Sequence, residues 1–193
     1  MQVIAGVDEA GRGPLAGPVV ACAVIIPKGA DIPDDITDSK KLSEQQREKL
    51  YEFITTNYWY GVGQADHKEI DEINILQATF LAMRRALVAL KKKPSIALID
   101  GNKIIPGIKL KQKAIVKGDA KIKEISAASI VAKVTRDRLM VKYHKKYPEY
   151  NFAQHKGYGT SAHYVALEKH GASPIHRATF LPEQNLFGQY QKR

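Results

Sequence analysis

Cysteine occurs once in the 193 residues, at Cys22. A single thiol builds neither a disulfide framework nor a cysteine zinc site, and a reducing cytoplasm is the expected home. No run of eighteen apolar residues exists, so no membrane-spanning helix is expected. The first apolar run is broken by Asp8 and Glu9 and follows no basic stretch, so a secretory leader is not expected either. Three catalytic signatures are missing as well. There is no G-x-G-x-x-G or G-K-[ST] phosphate loop, no H-E-x-x-H, and no G-x-S-x-G. Negative charge is the scarcer sign: 20 acids face 30 lysines and arginines, for a net charge of +10. That surplus points to a polyanion such as nucleic acid, with a merely basic surface as the alternative. What remains is ordinary globular composition, 44% hydrophobic and 26% charged, at the length of one domain.

Strands and helices interleave along the chain. Val3–Val7 reads as a short buried strand ending at Asp8 and Glu9, and Val19–Ile26 as a second after a glycine-rich stretch. Their short non-helical connection predicts an antiparallel pair, hence a mixed sheet. Ser43 with Gln46 is a capping-box signature for a helix reaching about Thr55, and Asp66 with Glu69 is another. Trp59–Ala65 reads as a strand. Ile73, Leu76, Phe80, Met83, Leu87 and Leu90 mark one face of a long helix that Pro94 stops. Ile96–Ile99 is a buried strand ending at Asp100. Lys109–Val116 reads as an edge strand, because lysines recur along it. Glu124 to about Tyr147 is a second long helix, whose small residues Ser126–Ser129 predict close packing on a sheet. Thr160–His170 is a short helix closed by Gly171. The class is α/β.

Several acids stand at strand ends, where α/β folds place their sites. Asp8 and Glu9 are adjacent, and burying both unpaired is costly unless a divalent cation relieves it. Neighbours on a regular strand face opposite ways, so both reach one site only if the strand ends or bends there. A solvent-exposed strand end is the alternative. Asp100 would share their site if its strand lies adjacent and parallel; otherwise it starts an Asp-Gly turn. Asp119 lies inside a basic stretch and either joins the acids or pairs with Lys117 or Lys121. Lys133 and Asp137 read as a helical ion pair. Gly11 and Gly13 permit close backbone approach to a nucleic acid, with Arg12 on a phosphate, or form a tight turn. Tyr158, between two glycines, offers a face for stacking on a base or sugar, or plugs the core edge. Lys109, Lys111, Lys113, Lys117, Lys121 and Lys123, then Lys133, Arg136, Arg138, Lys142, Lys145 and Lys146, supply phosphate contacts or a solvated face.

These segments resemble the ribonuclease HII family. The stretches that carry the resemblance are Val7–Val19, Asp38–Leu42, Leu98–Asn102, Lys117–Asp119, Ile125–Asp137 and His155–Thr160, in the family's order. The resemblance implies a ribonuclease H-like fold, a central mixed five-stranded sheet flanked by helices, over residues 1–182 with a tail at 183–193. It implies a cytoplasmic endonuclease, expected as a monomer, that acts on RNA–DNA hybrids and on single ribonucleotides in duplex DNA. Asp8, Glu9, Asp100 and Asp119 match the family's four metal-binding acids. Gly11, Arg12 and Gly13 match its sensor of the ribose 2′-hydroxyl, and Tyr158 the tyrosine that packs on that sugar. Lys40 is expected to hold the duplex backbone. Two Mg²⁺ or Mn²⁺ ions are expected, for in-line hydrolysis leaving a 3′-hydroxyl and a 5′-phosphate. The stretch Gln184–Tyr190 faintly resembles peptides that dock on sliding clamps. Two other readings stay open: a non-catalytic nucleic-acid-binding module, and a different two-metal nuclease or integrase that cuts DNA.

Overall fold

The computed structural model describes residues 2–37, 39 and 42–182. Lys40 and the tail stretch Gln184–Tyr190, both singled out above, lie outside the described residues. The strands are β1 (Ile4–Ala10), β2 (Val19–Ile25), β3 (Trp59–Ala65), β4 (Ile96–Asp100) and β5 (Lys111–Ile115). The helices are α1 (Glu44–Asn57), α2 (His67–Ala89), α3 (Lys123–Lys146), α4 (Phe152–His155) and α5 (Ser161–His170). The strands form one sheet in the order β3-β2-β1-β4-β5. β1 pairs antiparallel with β2 and parallel with β4, so the sheet is mixed. β5 is an edge strand, as its lysines predict.

Alternation along the central strands assigns the two faces. Ala5 and Val7 of β1, with Val19, Ala21, Ala23 and Ile25 of β2, pack with Ala78, Phe80, Ala82 and Met83 of α2. Cys22 and Val24 face the other way, toward Ala127, Ala128 and Val131 of α3 and Leu50 and Ile54 of α1. Glycine brings each helix close. A Cβ on Gly6 would lie 2.1 Å from the Glu124 carbonyl carbon of α3, and one on Gly63 would lie 2.2 Å from the Ala82 oxygen of α2. The small residues at the start of α3 pack against the sheet as their sizes predict. Among the described residues, no helix is long and apolar enough to cross a membrane.

Both capping boxes form, at Ser43 and at Asp66. The long helix expected after Asp66 is not continuous. It breaks at Asn74, whose backbone sits at φ 64° and ψ 163°. The Asn74 side chain accepts from the N–H groups of Leu76 and Gln77 at 3.0 and 3.2 Å, and so starts the helix again as a new N-cap. The apolar rhythm continues across the break and hides it from periodicity.

A third cluster joins the C-terminal part, with Met140, Tyr150, Phe152, Leu167 and Ile175 packed on Leu15 and Ala16. It presses the glycine-rich segment between β1 and β2 onto α3, and Ala16 bridges to His176.

Candidate active site

The site forms where β1 outruns β4. Their parallel pairing ends with Val7 opposite Ile99. Asp8 and Asp100 come next on each strand, so two carboxylates stand side by side at the same end of the sheet. β4 stops at Asp100, and Gly101 follows with φ 100°. The expected end of β1 at Asp8 is not found. β1 stays paired with β2 through Asp8–Cys22, Glu9–Ala21 and Ala10–Val20. Asp8 therefore keeps the α3 face and Glu9 the α2 face. Both reach one opening because β4 is short, not because β1 bends. Asp8, Glu9, Asp100 and Asp119 line a single cleft of about 470 Å³, walled further by Ser129, Lys133, Arg47 and Tyr158.

Asp100 also builds the turn that delivers Asp119. Its Oδ1 accepts from the N–H groups of Gly118 at 2.7 Å and Asp119 at 3.4 Å. This seats a 3₁₀ turn over Gly118–Ala120, entered through Lys117 in the left-handed region at φ 56°. Ser126 of α3 donates to the Asp119 carbonyl at 2.6 Å. Lys121 donates to the Val116 carbonyl at 2.8 Å.

Electrostatics favour a cation here. Asp8 is held well above the usual carboxylate range, first by burial, then by the charges of Glu9 and Asp100. A Ser129 hydrogen bond and the Glu9 N–H, 2.7 Å from Asp8 Oδ1, oppose that rise. Burial also raises Glu9, against the pull of Arg12, whose Nη1 lies 3.3 Å from Glu9 Oε1. Behind Asp8, Ser129 shares a 2.9 Å hydrogen bond with Ser39. Arg47 donates to the carbonyls of Ser39 at 3.1 Å and Leu42 at 2.5 Å, which ties both residues to α1.

Gly11 adopts φ 95°, and a Cβ there would fall 1.9 Å from Arg136 Nε. No side chain fits that position. Gly13 lies next to Tyr158, whose Cε1 is 3.8 Å from where a Gly13 Cβ would be. Tyr158 is 44% exposed, so its ring is a cleft wall and not a core plug.

The basic run on α3 does not all face solvent. Arg136 is 1% exposed and donates to the carbonyls of Pro18, Lys156 and Ala16 at 3.0, 2.9 and 3.1 Å. It has no reach to a phosphate. Lys123 donates to the carbonyls of Asp34 and Ile36. Arg138 pairs with Glu48 at 2.5 Å, and Lys133 pairs with Asp137 at 2.9 Å as expected. Lys142, Lys145 and Lys146 are exposed, as are Lys109, Lys111, Lys113, Lys117 and Lys121.

Two further sets of residues are not legible in the sequence. Arg177 is fully buried and donates to the carbonyls of Gly17, Arg12 and Gly11 at 2.9, 2.9 and 2.6 Å. His163 and His176 share a 2.9 Å hydrogen bond under the Tyr158 segment. His163 Nδ1 donates to the Tyr158 carbonyl at 2.9 Å, while Ser173 N–H donates to His176 Nδ1 at 2.8 Å. His176 Nε2 must then donate to His163 Nε2, so both rings are neutral. Burial pushes His163 down to about 4 and His176 to about 3.

Residues 5–182 match the family model described as ribonuclease HII. The chain belongs to the ribonuclease HII family. A ribonuclease HII of Endomicrobium trichonymphae is 56% identical over 187 residues, covering 96% of this chain and 89% of the relative. The crystal structure of the ribonuclease H2 from Pyrococcus horikoshii superposes with a TM-score of 0.77 at 30% identity, over 99% of this chain and all of the other. The ribonuclease HII in an Archaeoglobus fulgidus complex with PCNA gives 0.65 at 27% identity, over 86% of this chain and 87% of the other. A ribonuclease HIII crystallised with Mn²⁺ gives 0.80 at 16% identity, over all of this chain and 71% of the other, a likeness of fold. The α/β ribonuclease H-like architecture expected of a ribonuclease HII is thus present.

Proposed function

We propose that Asp8, Glu9, Asp100 and Asp119 carry the chemistry of this member of the ribonuclease HII family. As such a member, the chain cleaves RNA in RNA–DNA hybrids and incises at embedded ribonucleotides. One observation supports the assignment most. The pairing of the parallel strands β1 and β4 ends at Val7 and Ile99, so Asp8 and Asp100, next on each strand, flank one cleft with Glu9 and Asp119.

The donor set fits a hard divalent cation. It offers carboxylate oxygens, and the mutual repulsion of Asp8, Glu9 and Asp100 is what a cation relieves. Among the described residues, no three of these acids converge into a ready-made cage. Mg²⁺ or Mn²⁺ would be held by these carboxylates together with waters and substrate phosphates. The ribonuclease HIII crystallised with Mn²⁺ supports the same choice between Mg²⁺ and Mn²⁺. Two such ions, held by the four acids, would supply an activated water and would stabilise the leaving 3′-oxygen.

The protein's own groups do the rest. Ser129 and the Glu9 N–H hold Asp8 in orientation. Asp100 seats the turn bearing Asp119. Gly11, Arg12 and Gly13 read the ribose 2′-hydroxyl, the group that distinguishes RNA from DNA, and Tyr158 packs on that sugar. The exposed lysines of α3 and β5, with Lys40, hold the duplex phosphates. The product ends are a 3′-hydroxyl and, on the ribonucleotide side, a 5′-phosphate. The complex of the Archaeoglobus fulgidus relative with PCNA supports a sliding clamp as a further partner, and the stretch 184–190 is the segment proposed to meet it.

The test is incubation with duplex DNA carrying one ribonucleotide, with and without Mg²⁺ or Mn²⁺. Metal-dependent incision 5′ to the ribonucleotide is expected. No incision would remove the enzyme reading, and equal cutting of all-DNA duplex would favour a general nuclease.

A further inference from the structure

Two buried guanidiniums lie beneath the segment joining β1 to β2. Arg177 takes the carbonyls of Gly11, Arg12 and Gly17. Arg136 takes those of Ala16 and Pro18, and also that of Lys156, two residues before Tyr158. They are 0% and 1% exposed, and among the described residues neither forms an ion pair with a carboxylate. Burial lowers Arg177 to about 9 and Arg136 to about 10, so both stay charged at neutral pH. Holding two guanidiniums in the interior with no carboxylate in contact is costly unless carbonyl dipoles surround them. A loop that needed only to turn would not require either.

The arrangement has a directional consequence. In a trans peptide the C=O and N–H of one unit point in opposite directions. The Gly11 carbonyl shares its unit with the Arg12 N–H, and the Arg12 carbonyl shares its unit with the Gly13 N–H. Arg177 draws both carbonyls inward, which turns both N–H groups outward. Among the described residues, neither of these N–H groups donates to a protein acceptor. Arg136 sets the other end of the segment and ties it to the loop that carries Tyr158. Backbone bonds from Leu15 N–H to the Gly157 carbonyl at 2.8 Å and from Arg177 N–H to the Leu15 carbonyl at 2.9 Å complete the frame.

We propose that Arg177 and Arg136 are positioning residues that set ribose selectivity, by aiming the Arg12 and Gly13 N–H groups outward and fixing their distance from the Tyr158 ring. The proposal rests on the reading that Gly11–Gly13 contacts the ribonucleotide. Lysine cannot replace either residue. It keeps the charge, but its single ammonium does not span three carbonyls in the fixed plane of a guanidinium.

The test uses the full chain as Arg177→Lys and Arg136→Lys. Each is assayed for incision of a single-ribonucleotide duplex, for affinity to the matching all-DNA duplex, and for melting temperature. In a folded variant, kcat on the ribonucleotide duplex is expected to fall about 100-fold, the scale of a displacement near 1 Å. Affinity for all-DNA duplex, which presents no 2′-hydroxyl, is expected to hold. Loss of both in equal measure would reduce the pair to scaffolding, and a folded variant with unchanged kcat would also overturn the proposal. If Arg177→Lys does not fold, Arg136→Lys decides; if neither folds, the proposal falls. Wild-type protein that incises no ribonucleotide duplex would instead sink the underlying functional reading, so the two failures are distinct.

Discussion

Asp100 stands beside Asp8 because β1 and β4 are parallel and their pairing ends one residue earlier, at Val7 and Ile99. The same Asp100 carboxylate accepts the Gly118 N–H at 2.7 Å. Its charge and its shape therefore do different jobs, and one substitution separates them.

Asp100→Asn keeps the acceptor oxygen for Gly118 and removes the charge. Cleavage is expected to fall by more than the roughly 10–100-fold that loss of an outer partner costs a metal site. Affinity for the duplex should be unchanged. Without metal, the melting temperature should rise slightly, because a charge that repels Asp8 is gone. Retained turnover would exclude Asp100 from the chemistry. A fall of many degrees would show that the charge, and not only the acceptor oxygen, holds the turn.

Tyr158→Ala tests the cleft wall. The ring is 44% exposed, and the backbone bonds of this residue do not depend on it. Stability should change by less than about 1 kcal/mol, while incision at a single ribonucleotide falls by at least about ten-fold, the worth of one stacking contact. Urea unfolding and a turnover assay on the same preparation check both halves.

Gly6→Ala tests the seating of α3. The new Cβ would meet helix backbone at 2.1 Å, which no rotamer relieves. A loss of about 3 kcal/mol is expected, the upper part of the overpacking range. Because α3 also carries Ser129, which bonds Asp8, the surviving folded protein should cleave more slowly. An unchanged denaturation midpoint would contradict this packing.

The buried histidines give a pH dependence with a definite sign. His163 and His176 are lowered to about 4 and about 3 when folded, against 6.5 when exposed. Below pH 6.5 the unfolded chain takes up protons that the folded chain refuses, so this contribution is complete above 6.5 and is lost as pH falls toward 4. Comparison with His176→Asn isolates it from the carboxylates. The stability advantage of wild type over the variant should shrink between pH 7 and 4.5, by up to about 1.4 kcal/mol per pH unit. A constant difference across that range would mean that the ring is not a buried neutral acceptor.

Much of this site was legible in the sequence. Acids at the ends of two buried strands mark a site in an α/β chain, and Asp8 and Asp100 could be picked out on that ground. Their adjacency could not, because register belongs to the assembled sheet. The objection that Asp8 and Glu9 face opposite ways proves correct, and the difference in length between β1 and β4 resolves it. Its place in a basic run makes Arg136 read as a phosphate-binding residue. Its spacing held the better clue: it lies four residues after buried Ala132 and four before buried Met140, on the inward face. The break at Asn74 is hidden because apolar residues keep helical rhythm on both sides of it, although Asn followed three residues later by Gln77 is itself a helix-start pattern. Arg177 has no local signal, since its partners lie more than 150 residues away in the chain.

That last separation bears on how the molecule is made. A chain emerging from the ribosome holds all four acids by Asp119, with Arg177 still 58 positions away. The Gly11–Gly13 segment is then synthesised 164 residues before its inner anchor. Contacts this distant in sequence form late in folding. Under the proposed roles, the acid cleft and the Gly11–Gly13 segment gain their last contacts at different moments, and a nascent chain halted before Arg177 has the four acids without the anchor of that segment.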